Sequence, residues 1–228
     1  MHLASLNLSP RYGALRAMRN MSLALVFSAM PSLAAEDVTV LALGDSLTAG
    51  YGLPEGEGFV PQLQQWLRDH GQAVEVVNAG VSGDTTAGGL ARLDWSLTPE
   101  VDAMIVNLGG NDMLRGLDPG LSRSNLEAIL KEARARELPV LLVGLEAPGN
   151  YGPDYKRDFD AIFPDLARSY EADLEANFFA PLTARLDEPD ARQRYMQPDG
   201  IHPSTEGVAV IVEEIGPRVQ ALVERARN

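Results

Sequence analysis

Apolar runs of strand length alternate with amphipathic segments along most of the chain. The runs are continuous and rich in β-branched residues, which is typical of parallel strands that are buried on both faces. Four of them predict strands, namely Val38 to Leu43, Ala73 to Val77, Ala103 to Leu108 and Val140 to Val143. A fifth, short strand is predicted at Phe178 and Phe179.

The segments between these runs predict helices. They are Val60 to His70, Leu121 to Glu137, Tyr155 to Tyr170 and Thr205 to Arg225. Ser204 is the expected N-cap of the last helix, and Gly207 is expected to weaken it. His70 is interpreted as a basic residue that suits a helix C-terminus. The alternation predicts a single three-layer α/β domain with a mostly parallel sheet.

Polar clusters follow three of the predicted strands. They occupy residues 44–46, 78–84 and 109–112. Ligands of open α/β sheets bind outside the carboxyl ends of the strands, where such loops meet. The sequence therefore predicts one site at this edge, with a fourth loop around Asp199 and His202 closing over it.

Ser46, His202 and Asp199 can together perform nucleophilic catalysis. A serine hydroxyl attacks a carbonyl when a base takes its proton, and the base needs a third group to fix its tautomer. The chain has three histidines, and with His70 assigned to a helix end and His2 in a segment expected to be removed, His202 is the predicted base. Asp199, three residues earlier, is the predicted orienting carboxylate.

Acyl transfer also needs donors for the developing oxyanion. The predicted donors are the backbone N–H groups of Ser46 and Gly80 and the side-chain amide of Asn111. Asp45 and Asp112 are interpreted as loop anchors that accept backbone N–H groups. Asp84, followed by Thr85, is typical of a helix start.

The N-terminal segment and the composition of the chain predict where in the cell the protein is found. Residues 1–34 contain three arginines and no acid, then a short apolar run and small residues, which predicts a secretory signal peptide before a domain of residues 35–228. Its removal would change the formal net charge from −13 to about −16, which disfavours nucleic acid as a partner. The apolar run is too short for stable membrane insertion. The chain has no cysteine. We expect a periplasmic or secreted protein.

Four blocks of the sequence resemble the SGNH, or GDSL-type, hydrolases. They are GDSL with Ser46, NAGVSGDT with Gly80, GGND with Asn111 and DGIHP with His202, in the family's order through nearly all of residues 38–215. The segments LGDSLTAGYGL, LGGNDMLRG and MQPDGIHP resemble in particular the bacterial thioesterase I, lysophospholipase and arylesterase branch.

This resemblance implies a flavodoxin-like fold with five parallel strands, no metal or other cofactor, and small ester or thioester substrates. In that branch the loop after the asparagine block contacts the acyl chain, which here implies Met113, Leu114 and Leu117. Pro148, in a loop that is also similar, is a further expected substrate contact. A monomer is expected.

Three other functions stay open. A metal-dependent phosphoesterase would need more histidine and carboxylate ligands than the domain offers. A catalytically dead binding protein could share the fold. A carbohydrate O-deacetylase would need a polar groove, whereas Phe159 and Phe163 join the loop residues as apolar candidates near a pocket or as core.

Overall fold

The computed structural model of the protein describes residues 37–228. The predicted signal peptide lies outside these residues. Within them, the strands form one five-stranded parallel sheet with the order β2-β1-β3-β4-β5 and with helices on both sides. The strands are β1 Val38–Gly44, β2 Val74–Gly80, β3 Ala103–Asn107, β4 Val140–Val143 and β5 Asp173–Glu175. The predicted α/β/α architecture is confirmed.

Eleven helices connect or cover the strands in this part of the chain. They are α1 Ser46–Ala49, α2 Phe59–Asp69, α3 Thr86–Ala91, α4 Leu93–Ser96, α5 Gly110–Leu114, α6 Pro119–Ala135, α7 Pro153–Asp160, α8 Ile162–Tyr170, α9 Ala180–Thr183, α10 Ala191–Tyr195 and α11 Thr205–Ala226, with a 3₁₀ turn at Gly149–Tyr151. Helix α2 packs against α11, and α6 packs against α3 and α8. Among residues 37–228, no helix combines the length and apolar character that crossing a bilayer requires.

The core fixes the position of the strand ends. Every residue of β3 and β4 is buried, as expected for central parallel strands covered on both faces. The register pairs Gly44 at the end of β1 with Gly80 on one side and with Asn107 on the other. The three polar loops therefore meet at one carboxyl edge, as predicted.

Two predicted elements differ from the structure. The fifth strand is Asp173–Glu175, not Phe178 and Phe179, and Phe178 is instead a fully buried core residue. The strand gave no apolar signal because it is short and acidic. The predicted helix over 155–170 is two helices that break at Ala161. Pro164 explains the break, since it has no N–H to continue the hydrogen-bond ladder.

Helix ends follow their predicted chemistry, with one correction. His70 is the C-cap of α2, and the Ser204 side chain caps α11 by accepting from the Gly207 N–H at 3.1 Å. Gly207 is not simply a weak point of α11. A Cβ at this position would lie 2.1 Å from the Tyr195 carbonyl oxygen, so the close approach of α10 requires glycine.

Candidate active site

The turn between β1 and α1 holds Ser46 at the carboxyl edge of the sheet. Asp45 is the N-cap of α1, and its Oδ1 accepts from the Leu47 N–H at 3.0 Å. A Cβ on Gly44 would lie 2.0 Å from Thr48 Oγ1, so the turn is too tight for any other residue at that position. Ser46, as the first residue of α1, has a backbone N–H without an intrahelical acceptor.

Neighbouring loops brace this turn. Arg92 binds the Asp84 carboxylate at 2.6 Å and donates to the Gly44 carbonyl at 2.9 Å. The predicted helix start at Asp84 and Thr85 is confirmed, with Thr85 as the N-cap of α3. The buried Asp112 accepts from the Thr86 backbone N–H at 2.8 Å, which confirms its predicted role as a loop anchor.

The loop of residues 196–203 holds the histidine. It is closed by an antiparallel bridge between Met196 and Pro203. At its tip Gly200 has a φ of +68°, a left-handed conformation that favours glycine. Asp199 Oδ1 accepts the backbone N–H groups of Ile201 at 2.9 Å and His202 at 3.0 Å, which fixes the turn.

Three of the predicted residues meet in one hydrogen-bonded chain. His202 Nε2 lies 2.9 Å from Ser46 Oγ, and His202 Nδ1 lies 2.6 Å from Asp199 Oδ2. The serine and the histidine are 156 positions apart in the sequence, so only the fold brings them together. A serine, a histidine and an aspartate linked in this order form the arrangement of a serine hydrolase.

The charge of Asp199 sets the tautomer of the imidazole. The hydrogen bonds donated by the backbone and the side chain of His202 lower the pKa of Asp199 from 3.8 to about 2. The carboxylate is therefore ionised at neutral pH and can only accept hydrogen bonds. His202 Nδ1 must then carry the proton, which leaves Nε2 free to accept from the Ser46 hydroxyl.

The pKa of Asp45 is shifted in the opposite direction from that of Asp199. It is 2% exposed, and burial raises its pKa from 3.8 to about 6, against the lowering effect of the Leu47 N–H. Its Oδ2 lies 3.4 Å from Asn111 Nδ2, at the long end of a hydrogen bond. The prediction that Asp45 accepts a backbone N–H is confirmed.

The predicted oxyanion donors are not equally placed. Ser46 and Asn111 both line the cleft, and Asn111 Nδ2 donates to the Asp84 carbonyl at 2.9 Å. Gly80 does not line it, and the Gly80 N–H donates to Asn78 Oδ1 at 2.9 Å. A Cβ on Gly80 would lie 2.3 Å from the Ala49 nitrogen, so packing alone requires this glycine. The donor role of Gly80 stays a prediction.

The cleft over Ser46 has a volume of about 270 Å³. Met113 and Leu114 line it as predicted from the resemblance, whereas Leu117 and Pro148 do not. Sequence reasoning missed further lining residues, of which the large apolar ones are Leu47, Leu145, Phe179, Met196 and Ile201. Leu145 follows the predicted strand β4, so the rule that sites lie beyond strand ends could have found it, whereas Phe179 had itself been assigned to the fifth strand.

Phe159 and Phe163 belong to the core. They are 0% and 1% exposed, and neither lines the cleft. The helical spacing of Phe159 and Phe163 therefore indicates packing in the core.

Gln197 and Tyr51 are site residues that the sequence did not reveal. Gln197 Nε2 donates to the Tyr51 carbonyl at 2.8 Å and to the Pro203 carbonyl at 2.9 Å. The Tyr51 ring also packs against the His202 ring, with 4.7 Å between centroids. Gln197 thus ties the segment after Ser46 to the loop that carries His202.

Comparison with known proteins places the chain in a family. The sequence profile of the GDSL-like lipase/acylhydrolase family matches residues 42–210. The chain is 40% identical to esterase TesA of Pseudomonas aeruginosa over 81% of this chain and 89% of the relative. It is 37% identical to thioesterase 1/protease 1/lysophospholipase L1 of Escherichia coli over 81% and 85%. The structure of AlinE4, an SGNH-hydrolase family esterase, superposes with a TM-score of 0.65 at 45% identity, covering 81% of this chain and 95% of AlinE4.

The chain belongs to the GDSL-like lipase/acylhydrolase family and is a hydrolase. The resemblance drawn from the four sequence blocks is confirmed. The sequence left open whether the protein is an ester hydrolase or a metal-dependent phosphoesterase. Membership of this family supports the ester hydrolase.

Proposed function

We propose that the protein hydrolyses carboxylic esters and thioesters through an acyl-enzyme on Ser46. The observation that carries this proposal is the continuous hydrogen-bonded chain from Ser46 Oγ through His202 to Asp199. A dead binding protein would have no need for all three groups at these distances. Relatives named as esterase and as thioesterase support the substrate class.

The proposed reaction has two half-reactions. In the first, Ser46 Oγ bonds to the carbonyl carbon while His202 Nε2 takes the hydroxyl proton. The bond from that carbon to the alcohol oxygen or thiol sulfur then breaks, and the same proton passes from Nε2 to the leaving group. In the second, water bonds to the acyl carbon, His202 takes its proton, and Ser46 leaves as the restored hydroxyl.

The charges around His202 suit this cycle. The imidazole becomes positive when it holds the serine proton, and the ionised Asp199 at 2.6 Å stabilises that charge. The oxyanion is proposed to form beside the Ser46 N–H and the Asn111 amide, with the Gly80 N–H as a third donor. For Gly80 to donate, the hydrogen bond from its N–H to Asn78 Oδ1 must break, and for Asn111 to donate, its longer contact with Asp45 Oδ2 must break.

The lining of the cleft favours an apolar acyl group. Met113, Leu114, Leu145 and Phe179 supply apolar surface beside Ser46 and Asn111. This supports the proposal that Met113 and Leu114 contact the acyl chain, and it disfavours the carbohydrate O-deacetylase. Leu117 and Pro148 are kept as proposed contacts of a chain that extends beyond the cleft.

The protein is further proposed to act as a monomer outside the cytoplasm. Support for export comes from the basic, apolar and small-residue order of residues 1–34. Expression of the full chain, cell fractionation and sequencing of the mature N-terminus would test it. Recovery of uncleaved protein in the cytoplasm would contradict export, and light scattering of the product would test the oligomeric state.

Fluorophosphonate labelling with mass spectrometry tests the nucleophile. In the reaction, Ser46 Oγ bonds to phosphorus and fluoride leaves. We expect an adduct on Ser46 in the purified protein, and a fall in ester hydrolysis of about 10⁴-fold or more in Ser46→Ala. Ser169→Ala, an exposed serine on α8, is the matched control and should keep full activity.

The same preparation tests the substrate class. Esters of one alcohol with acyl groups from acetyl to palmitoyl should be hydrolysed beyond acetyl. Activity on acetyl esters alone would instead support the deacetylase. An unlabelled protein without activity would support the dead binding protein, and normal turnover by Ser46→Ala would exclude Ser46 as the nucleophile.

A further inference from the structure

A second cavity, larger than the cleft over Ser46, lies beside helices α9 and α10. Its volume is about 620 Å³, within the range of sites that bind small molecules. Leu182, Leu186 and Tyr195 give it much of its apolar lining. The mechanism proposed above makes no use of this space.

The two spaces adjoin. Phe179, Met196 and Gly200 line both the larger cavity and the cleft. The cleft alone, at about 270 Å³, has less than half the volume of its neighbour. These three residues form the boundary that a substrate bound at Ser46 would cross to reach the larger cavity.

The larger cavity lies on the histidine side of the site. Gln197, Pro198 and Gly200, from the loop that carries His202, line it, whereas His202 itself lines the cleft. Ser46, Gly80 and Asn111, the proposed oxyanion donors, do not. The apolar residues next to Asn111, which include Met113 and Leu114, line only the cleft.

Proton transfer from His202 determines how the leaving group and the acyl group of a substrate are oriented in the site. The leaving oxygen or sulfur must come within hydrogen-bond reach of His202 Nε2, because that atom returns the proton. The carbonyl oxygen must instead point toward Asn111. The leaving group therefore projects toward the loop of residues 196–203, and the acyl group projects toward Met113 and Leu114.

We propose that the larger cavity is a leaving-group site that binds the apolar body of a bulky alcohol or thiol. The inference rests on the proposed function, since it needs an acyl transfer at Ser46. The site would make the enzyme select esters by the size of the alcohol, independently of the acyl chain.

Butanoate esters of methanol, butanol and hexanol test this site. These alcohols differ little in acidity, so the series changes the size of the leaving group and hardly its reactivity. The ratio of kcat/KM for the hexyl ester to that for the methyl ester is the readout, because kcat/KM includes the step in which the alcohol leaves. Wild-type enzyme should give a ratio well above one.

Leu186→Ser and Gln193→Trp are the informative variants. Leu186 is 52% exposed and Gln193 is also exposed, so neither change disturbs the core. Serine removes apolar contact area and should lower the hexyl-to-methyl ratio about fivefold. Tryptophan should lower it by filling the cavity. Leu121→Ser, which removes another exposed leucine, on α6, is the matched control and should leave the ratio unchanged.

A second ester series tests whether the larger cavity binds the acyl chain and not the alcohol. Methyl esters of butanoate, hexanoate and octanoate vary only the acyl group. If Leu186→Ser and Gln193→Trp alter this acyl-length dependence and not the hexyl-to-methyl ratio, the cavity holds the acyl chain and the proposal is wrong. It is equally wrong if neither variant changes either series. A wild-type protein that hydrolyses no ester would instead refute the proposed function itself.

Discussion

Asp45 and Asp199 flank the reacting pair in different surroundings. Asp45 precedes Ser46 on the buried side of the site, and burial raises its pKa to about 6. Asp199 contacts His202 in an exposed loop, and hydrogen bonds from His202 lower its pKa to about 2. One side of the site is thus built by packing and the other by local hydrogen bonds.

The difference in pKa between the two carboxylates reflects different tasks, which are structural for Asp45 and chemical for Asp199. The Asp45 carboxylate touches the Leu47 N–H and the Asn111 amide, so it positions parts of the serine turn. Asp199 contacts His202, the proposed base, and in the proposed cycle its negative charge stabilises the protonated imidazole. Hydrogen bonds from His202 favour the charged form of Asp199, whereas burial disfavours the charged form of Asp45.

Asp199→Asn should show the largest effect after loss of the nucleophile. The amide keeps the size of the side chain but removes the charge and can hold the wrong tautomer of His202. We expect kcat to fall about 10⁴-fold with little change in the circular dichroism spectrum. Asp187→Asn, in an exposed segment outside the site, is the control. A fall of less than tenfold would show that His202 does not depend on Asp199.

Asp45→Asn should change the pH dependence of stability. Because its folded pKa is raised from 3.8 to about 6, Asp45 adds stability that is fully present below pH 4 and lost as the pH rises through 6. The wild type should therefore lose about 2 kcal/mol of unfolding free energy between pH 4 and pH 7 from this group. The variant should lack this component.

Urea unfolding of both proteins at pH 4 and pH 7 measures the difference. Asp199→Asn is the control, because the stability that a lowered pKa adds is already present at pH 4 and is lost only as the pH falls through 2, so this variant should follow the wild-type profile between pH 4 and pH 7. A wild type and an Asp45→Asn variant with parallel pH profiles would show that Asp45 titrates normally.

The same contrast explains how much the sequence could predict. Ser46, Asp199 and His202 were found because their chemistry is carried by short local motifs. The central strands were found because continuous apolar runs of this length, rich in β-branched residues, are typical of buried parallel strands. These features depend on residues that are near one another in sequence.

The features that were missed depend on distant partners. Asp173–Glu175 is a strand only because β4 pairs with it and because Arg218 and Arg225 bind its acids. Leu145 and Phe179 reach the cleft through the order of the sheet, which no single segment encodes. Gly207 needs the nearby Tyr195 carbonyl to explain it.

Gln197 tests how the segment after Ser46 is joined to the loop that carries His202, and its effect should be the smallest of those predicted here. Gln197→Ala removes the hydrogen bonds to the Tyr51 and Pro203 carbonyls, each worth about 1 kcal/mol. We expect a loss of about 2 kcal/mol or less in stability and a fall in kcat of about tenfold, because His202 is held less firmly against Ser46. KM should change little if the effect is one of positioning. Methyl esters are the right substrates, since they leave the larger cavity empty.

Gln65→Ala is the matched control for this last variant. Gln65 Nε2 donates to Asp69 within helix α2, away from the site, so its loss should leave kcat unchanged. A Gln197→Ala enzyme that loses stability but keeps its kcat would show that the two sides stay aligned without this link. The contacts among Ser46, His202 and Asp199 would then suffice to hold the histidine loop in place.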